Sequence, residues 1–237
     1  MEEFMTTAFW LAVGQIIMID ILLGGDNAVV IALACRNLPE KQRKQGIIYG
    51  TIGAIVLRVI LIAFALALLS VPYLKIVGAV LLFWIGIQLM QPEGEDAHNI
   101  NPSDKLWGAV KTVIVADLVM SVDNVIAIAG AAQGAGQQHQ MPLVIFGLLV
   151  SIPIIVWGSQ IVLKLMERFP IIITAGAMLL GWIAGQMLYT DIALQDIRPQ
   201  GKQWEYTFAA VGAALVLLAG QLMQKRAAKA SKSPPSA

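Results

Sequence analysis

At 237 residues, with 58% hydrophobic and only 13% charged residues, a net charge of +1 and a mean hydropathy of +0.75, the chain lies far from the roughly 25% charged residues of soluble domains. That composition implies an integral membrane protein whose partner is the lipid bilayer, and it argues against nucleic-acid binding, since no basic block is interleaved with aromatics. The lone Cys35 rules out an internal disulfide and fits no zinc spacing.

The first residues, MEEFMTT, are acidic and lack the basic region and small-residue cleavage site of a signal peptide, so the first apolar stretch is expected to remain as a span. A spanning helix needs about 20 mostly apolar residues. On that measure seven follow in chain order, at 8–34, 47–69, 73–90, 107–132, 143–165, 170–190 and 205–223. The expected fold class is all-α, a polytopic bundle forming one transmembrane domain over 1–224, with 225–237 as a disordered basic tail. Arg36, Lys41, Arg43 and Lys44 follow the first span, Lys164 and Arg168 bracket the turn after the fifth, and Lys225, Arg226, Lys229 and Lys232 follow the seventh. By parity these segments share one side, and short-loop lysines and arginines mark that side as the cytoplasm, so the N-terminus is expected outside and the C-terminus inside. The loop at 91–105 carries Glu93, Glu95, Asp96, His98 and Asp104. It fits a solvated linker more readily than a cation-collecting surface, and His139 fits an external loop rather than a ligand.

Two of the spans contain carboxylates where lipid-embedded helices should have none. Residues 19–32 read IDILLGGDNAVVIA and residues 116–129 read ADLVMSVDNVIAIA. Both run Asp, five residues, Asp-Asn, so Asp20, Asp26 and Asn27 match Asp117, Asp123 and Asn124. A charge at the bilayer centre costs about 2.5–3.5 kcal/mol on insertion scales, and here it is taken on four times. A second pair of segments matches in the same order, GAVLLFWIGIQLM from Gly78 and GAMLLGWIAGQML from Gly176. The chain therefore reads as a duplication, with repeat one at 7–90, repeat two at 105–190 and a seventh helix at 204–224. Three spans per copy is an odd number, so the second copy must be inverted, the architecture of many alternating-access carriers.

On a straight helix Asp20 and Asn27 lie about 20° apart in angle but about 10 Å apart along the axis, and Asp26 points elsewhere. Gly24 and Gly25 sit between the carboxylates, and paired glycines permit unwinding that frees backbone carbonyls as ligands. The second motif has Ser121-Val122 there instead, so the halves are not expected to be equal ligand donors. Oxygens from Asp, Asn and backbone suit a hard divalent ion such as magnesium, calcium or manganese, whereas zinc and copper recruit His or Cys. Met120 could add a thioether that favours a transition metal, although packing accounts for it more simply. Four carboxylates cannot all stay ionised and unpaired in low dielectric, so each must pair, bind metal or take a proton. Arg58, near the middle of the second span, is the internal cation able to serve either as a static ion-pair partner or as a gating group.

The GGDNAVVIA and SVDNVIAIA signatures, the inverted repeat and the seventh helix together resemble the TerC family of integral membrane proteins, within the LysE-like transporter superfamily, over residues 7–224. The resemblance implies export of manganese(II) from the cytoplasm by a protein of the bacterial cytoplasmic (inner) membrane; proton binding to the metal-free carboxylates would offer a route to exchange for protons, though no residue establishes that coupling. It also implies a metal site at Asp20, Asp26, Asn27, Asp117, Asp123 and Asn124. Two other readings remain open: a non-transporting membrane partner in membrane-protein assembly or stress resistance, and a carrier of another hard divalent cation such as calcium. No enzyme activity and no cofactor beyond the transported ion are expected. A retinal protein would need a lysine in the last span, where Thr207 to Gln224 has none, and a hydrolase would need His or a water-accessible domain. The sequence leaves a homodimer open.

Overall fold

The computed structural model describes residues 11, 14–15, 17–18, 25–64, 71–91, 101–133 and 140–230. Among them are seven α-helices: α1 (Gly25–Cys35), α2 (Glu40–Ala63), α3 (Leu74–Met90), α4 (Pro102–Gln133), α5 (Gln140–Arg168), α6 (Ile171–Thr190) and α7 (Lys202–Ala230), with a 3-10 turn at Ile192–Leu194. Several helices outrun the apolar stretches that announce them. α2 starts at Glu40, directly after Pro39, and α4 starts on Pro102, the first helical position, where a missing N–H costs nothing. α7 continues to Ala230 rather than stopping at 224. Hydropathy detects only the part of a helix that lipid touches, whereas the Lys, Arg and Ala of KRAAKA are strong helix formers, and cations suit a helix C-terminus.

α2, α6, α7 and residues Val144–Arg168 of α5 are each long and apolar enough to cross a bilayer. The interior is mostly apolar, but the exposed surface is apolar as well, unlike that of a soluble protein. Arg58, Asp117, Ser121, Ser151 and Ser159 are buried, while Val56, Trp84, Leu149, Trp157, Leu218 and Leu222 are exposed. In water such an apolar surface would drive aggregation, and hydrocarbon is the solvent that suits it.

The chain divides into two compact units, Met1–Pro72 with Asn101–Leu165, and Tyr73–Ile100 with Met166–Ala237. The first unit takes the first two spans of each sequence repeat, and the second takes the third span of each together with α7.

In the second unit α6 packs on both α3 and α7. Its contact with α7 is made by backbone. A Cβ on Gly181 would meet Ala213 Cα at 3.0 Å, and one on Gly185 would run into the Phe208 carbonyl and lie 2.8 Å from Ala209 Cα. Small residues four apart allow this approach, a device suited to lipid, where no hydrophobic force drives helices together. The repeat-matched residues Gly78, Ala79 and Leu82 of α3 and Gly176, Ala177 and Leu180 of α6 are all buried. A Cβ on Gly86 of α3 would lie 3.2 Å from the Ala177 carbonyl oxygen. At the other end of α3, Tyr73 N and Ile76 N donate to Asp191, both at 3.1 Å. α3 and α6 therefore run antiparallel. Gln186 Nε2 adds a 3.4 Å bond to Glu205 Oε1 between α6 and α7.

Asp191 serves as a cap for α3 supplied from the end of α6. Its carboxylate satisfies N–H groups that the first turn of a helix leaves without partners and lies at the positive end of the helix dipole. Tyr73, which opens that turn, holds the left-handed φ of 66°. Burial pushes the Asp191 carboxyl up, but the N–H groups of Ala193, Ile76, Tyr73 and Lys75 together outweigh burial and hold it below the usual carboxylate range.

Two predictions follow from this unit. Gly185→Ala should lower the thermal unfolding midpoint of the detergent-purified protein, because overpacking typically costs about 1–3 kcal/mol, whereas Gly108→Ala, with open space at its Cβ position, should not; equal midpoints for the two would refute the backbone contact. Because the folded Asp191 carboxyl titrates below its unfolded value of about 3.9, its stabilisation is complete above that pH and is lost as pH falls through the folded value. Asp191→Asn should therefore flatten the acid side of a stability–pH curve, and an unchanged acid limb would show that the cap carries no such linkage.

Candidate cation site

The first unit is organised on two facing seams. Buried residues of α2 recur at intervals of three and four (Ile47, Thr51, Ala54, Ile55, Arg58, Leu61 and Ile62) beside Gly46 and Gly50. On α4 the buried series is Leu106, Ala109, Val110, Val113, Ala116, Asp117, Met120 and Ser121. Glycines set the spacing. A Cβ on Gly46 would come within 3.4 Å of Leu106, one on Gly50 within 2.9 Å of Val113, and one on Gly53 within 2.5 Å of Ile114. The contacts advance together along both helices, so α2 and α4 run parallel. The same Cβ on Gly46 would lie 3.0 Å from Cys35 Sγ, while Asn27 lines a cavity with Asp117, so α1 runs antiparallel to α4.

Among the described residues the buried seams carry one charge each, at a matching level. Arg58 lies about 18 Å along α2 from Gly46 and Asp117 about 16 Å along α4 from Leu106. Tyr49 and Trp107, stacked with ring centroids 6.3 Å apart and both exposed, suit an interfacial level near that shared starting point.

Arg58 and Asp117 form an ion pair through Nη2 and Oδ1, with side chains only 2% and 6% exposed. Ser121 closes the arrangement: its Oγ accepts from Arg58 Nε at 3.0 Å and donates to Asp117 Oδ2 at 3.1 Å. Beside it lies a cavity of about 10 Å³, lined by Asn27, Val30, Ile31, Val113 and Asp117, room for about one water-sized sphere. Asn27 is buried at 3% exposure, and neither its Oδ1 nor its Nδ2 has a hydrogen-bond partner among the described residues. An unsatisfied buried amide costs about 1–3 kcal/mol, so this wall of the cavity is built for something polar. Asp26, half-buried in the first turn of α1, accepts from Asn27 N at 2.9 Å and lies within electrostatic range of Arg58 and Asp117.

The structure thus brings Asn27 of the first motif together with Asp117 of the second, and sets Asp26 and Arg58 nearby. Gly25 is the first residue of α1, with open space at its Cβ position. Asn124 is half-buried on α4. Asp20, Gly24, the side chain of Asp123, the acidic residues 93–98, His139 and residues 231–237 lie outside what is described. Among the described residues no three His, Cys, Asp or Glu side chains converge; the polar wall is made of one carboxylate and one carboxamide. Ser121 is the residue that sequence reasoning passed over as a partner of the ion pair, noting it only as a weak helix breaker. Its position four residues after Asp117, one turn along the same face, was the available signal.

The sequence matches the integral membrane protein TerC family over residues 5–228. The chain belongs to that family. Relatives include the uncharacterized membrane protein YjbE of Bacillus subtilis, 42% identical over 210 residues that cover 89% of this chain and 94% of YjbE. YceF of the same organism, also called an uncharacterized membrane protein, is 28% identical and covers 75% of this chain and 70% of its own length. The UPF0053 inner membrane protein YgdQ of Escherichia coli is 22% identical, covering 68% and 73%. No solved structure matches. Membership agrees with what the fold displays, a polytopic helical protein of the lipid bilayer.

Removing either member of a buried pair strands the other, at about 3–5 kcal/mol, whereas replacing both with apolar residues can be neutral. Arg58→Met and Asp117→Leu should each lower the unfolding midpoint sharply, and the double variant should recover most of the loss. Additive losses in that cycle would show that the two side chains are not energetically coupled.

Proposed function

We propose that this TerC-family chain is a secondary transporter that exports manganese(II) from the cytoplasm across the bacterial cytoplasmic (inner) membrane, in exchange for protons. One observation carries the reading: residues from both Asp-x5-Asp-Asn motifs, Asn27 and Asp117, line one cavity beside the buried Arg58–Asp117 pair. A carboxylate, and a carboxamide without a partner among the described residues, offer hard oxygen donors of the kind that a small divalent cation takes from a protein. The remaining motif residues, Asp20, Asp26, Asp123 and Asn124, are the further donors in this proposal, and backbone freed at Gly24 and Gly25 adds carbonyls. Repeat-matched helices run antiparallel in both units, α1 against α4 and α3 against α6, which supports an inverted duplication and alternating access. Metal-free carboxylates in low dielectric must be neutralised, and protons taken up in the opposite direction do so. A carrier of calcium uses the same donors, and the competition arm below separates it. An assembly partner without transport has no use for the cavity.

The test is manganese uptake into inside-out vesicles or proteoliposomes, wild type against Asp26→Asn, challenged with calcium, magnesium and zinc. Saturable uptake that Asp26→Asn reduces at least about tenfold, a loss of about 1.4 kcal/mol of transition-state stabilisation, and that calcium and magnesium compete poorly, is expected. No flux of any divalent ion from folded protein would remove the carrier reading in favour of an assembly role.

A further inference from the structure

Within the site, Arg58 is the group that opposes a cation. We propose that Arg58 is a tethered competitor for the transported ion: its guanidinium holds Asp117 while the site is empty, and the ion gains Asp117 only by displacing it. The inference rests on the carrier reading above and names the residue that sets that carrier's affinity.

Three observations lead here. Both oxygens of Asp117 are engaged by the same arrangement, Oδ1 by Arg58 Nη2 and Oδ2 by the Ser121 hydroxyl, which in turn accepts from Arg58 Nε. Asp117 is also a wall of the cavity, opposite an Asn27 amide that lacks partners among the described residues. An ion seated there meets one ligand ready and one held by the guanidinium. Finally, the charge is single-sided. The offset of 97 to 98 residues between the repeats carries Arg58 onto Ile155 or Val156 of α5, both apolar.

The chemistry of arginine explains why this residue type is used. A guanidinium does not release its proton in proteins, so it cannot vacate the carboxylate by deprotonating as a lysine could. It leaves only as a cation, by moving, and what moves it is a stronger positive charge at the same carboxylate. Asp117 then stays charge-balanced in the empty site while protons serve the other carboxylates, which lets the unloaded carrier reorient through low dielectric, and the loaded site releases its ion because the guanidinium is waiting. Ser121 tunes the exchange by fixing the fork.

The experiment measures manganese(II) binding to the full chain in lipid nanodiscs by the electron paramagnetic resonance signal of free manganese, alongside net export and manganese-for-manganese exchange in proteoliposomes. Arg58→Gln should bind manganese at least about tenfold more tightly than wild type, keep exchange, and lose net export. Arg58→Lys, which keeps a cation but loses the fork to Ser121 and can deprotonate, should bind manganese with an affinity between those of wild type and Arg58→Gln. Ser121→Ala, which keeps both charges and loosens the fork, should tighten binding by a smaller factor. A static structural pair predicts none of this tightening. If Arg58→Gln and Ser121→Ala, each monodisperse by gel filtration, bind no more tightly than wild type, the inference is overturned; should Arg58→Gln not fold, Ser121→Ala decides alone. A wild-type protein that binds no manganese overturns the carrier reading itself, a result distinct from either.

Discussion

The first unit depends on a buried ion pair between Arg58 of α2 and Asp117 of α4. Taking two charges into a low-dielectric interior is expensive, and attraction offsets that cost only when geometry is close and the remaining hydrogen-bonding capacity is used. Everything around the pair serves those conditions. Gly46, Gly50 and Gly53 bring α2 against α4, the parallel direction of the two helices puts both charges at the same level, and Ser121 bridges the fork to the second carboxylate oxygen. A bulky residue in that glycine stripe would push the helices apart and weaken a contact several turns away.

The second unit holds together by different means. Its helices meet backbone to backbone at Gly181, Gly185 and Gly212, and Asp191, the buried acid among its described residues, sits at a helix end among N–H donors rather than opposite a cation. The duplicated sequence is thus put to two uses. In the third span of each repeat the matched Gly, Ala and Leu residues form a packing face, while of the matched polar residues in the first, Asn27 and Asp117 meet at a cavity.

Hydropathy made the spans legible, because lipid imposes a minimum apolar length. It missed the aqueous ends of α2, α4 and α7, where helix formation is governed by Pro39, Pro102 and the KRAAKA run instead. The two Asp motifs drew attention to Asn27 and Asp117 because charge is rare in such helices, and Arg58 stood out for the same reason. Ser121 and Asp191 did not. A serine is unremarked in a membrane helix, and a carboxylate just past a span looks like any loop acid. What distinguishes each is a partner on a helix distant in sequence, Arg58 for the one and the first turn of α3 for the other, and only the assembled fold discloses such pairings.

The duplication leaves the ion pair without redundancy. Arg58 faces Asp117, while the matching positions of the other repeat are Ile155 or Val156. Losing that one side chain therefore strands a buried acid, with no equivalent cation in α5 to take over the pairing.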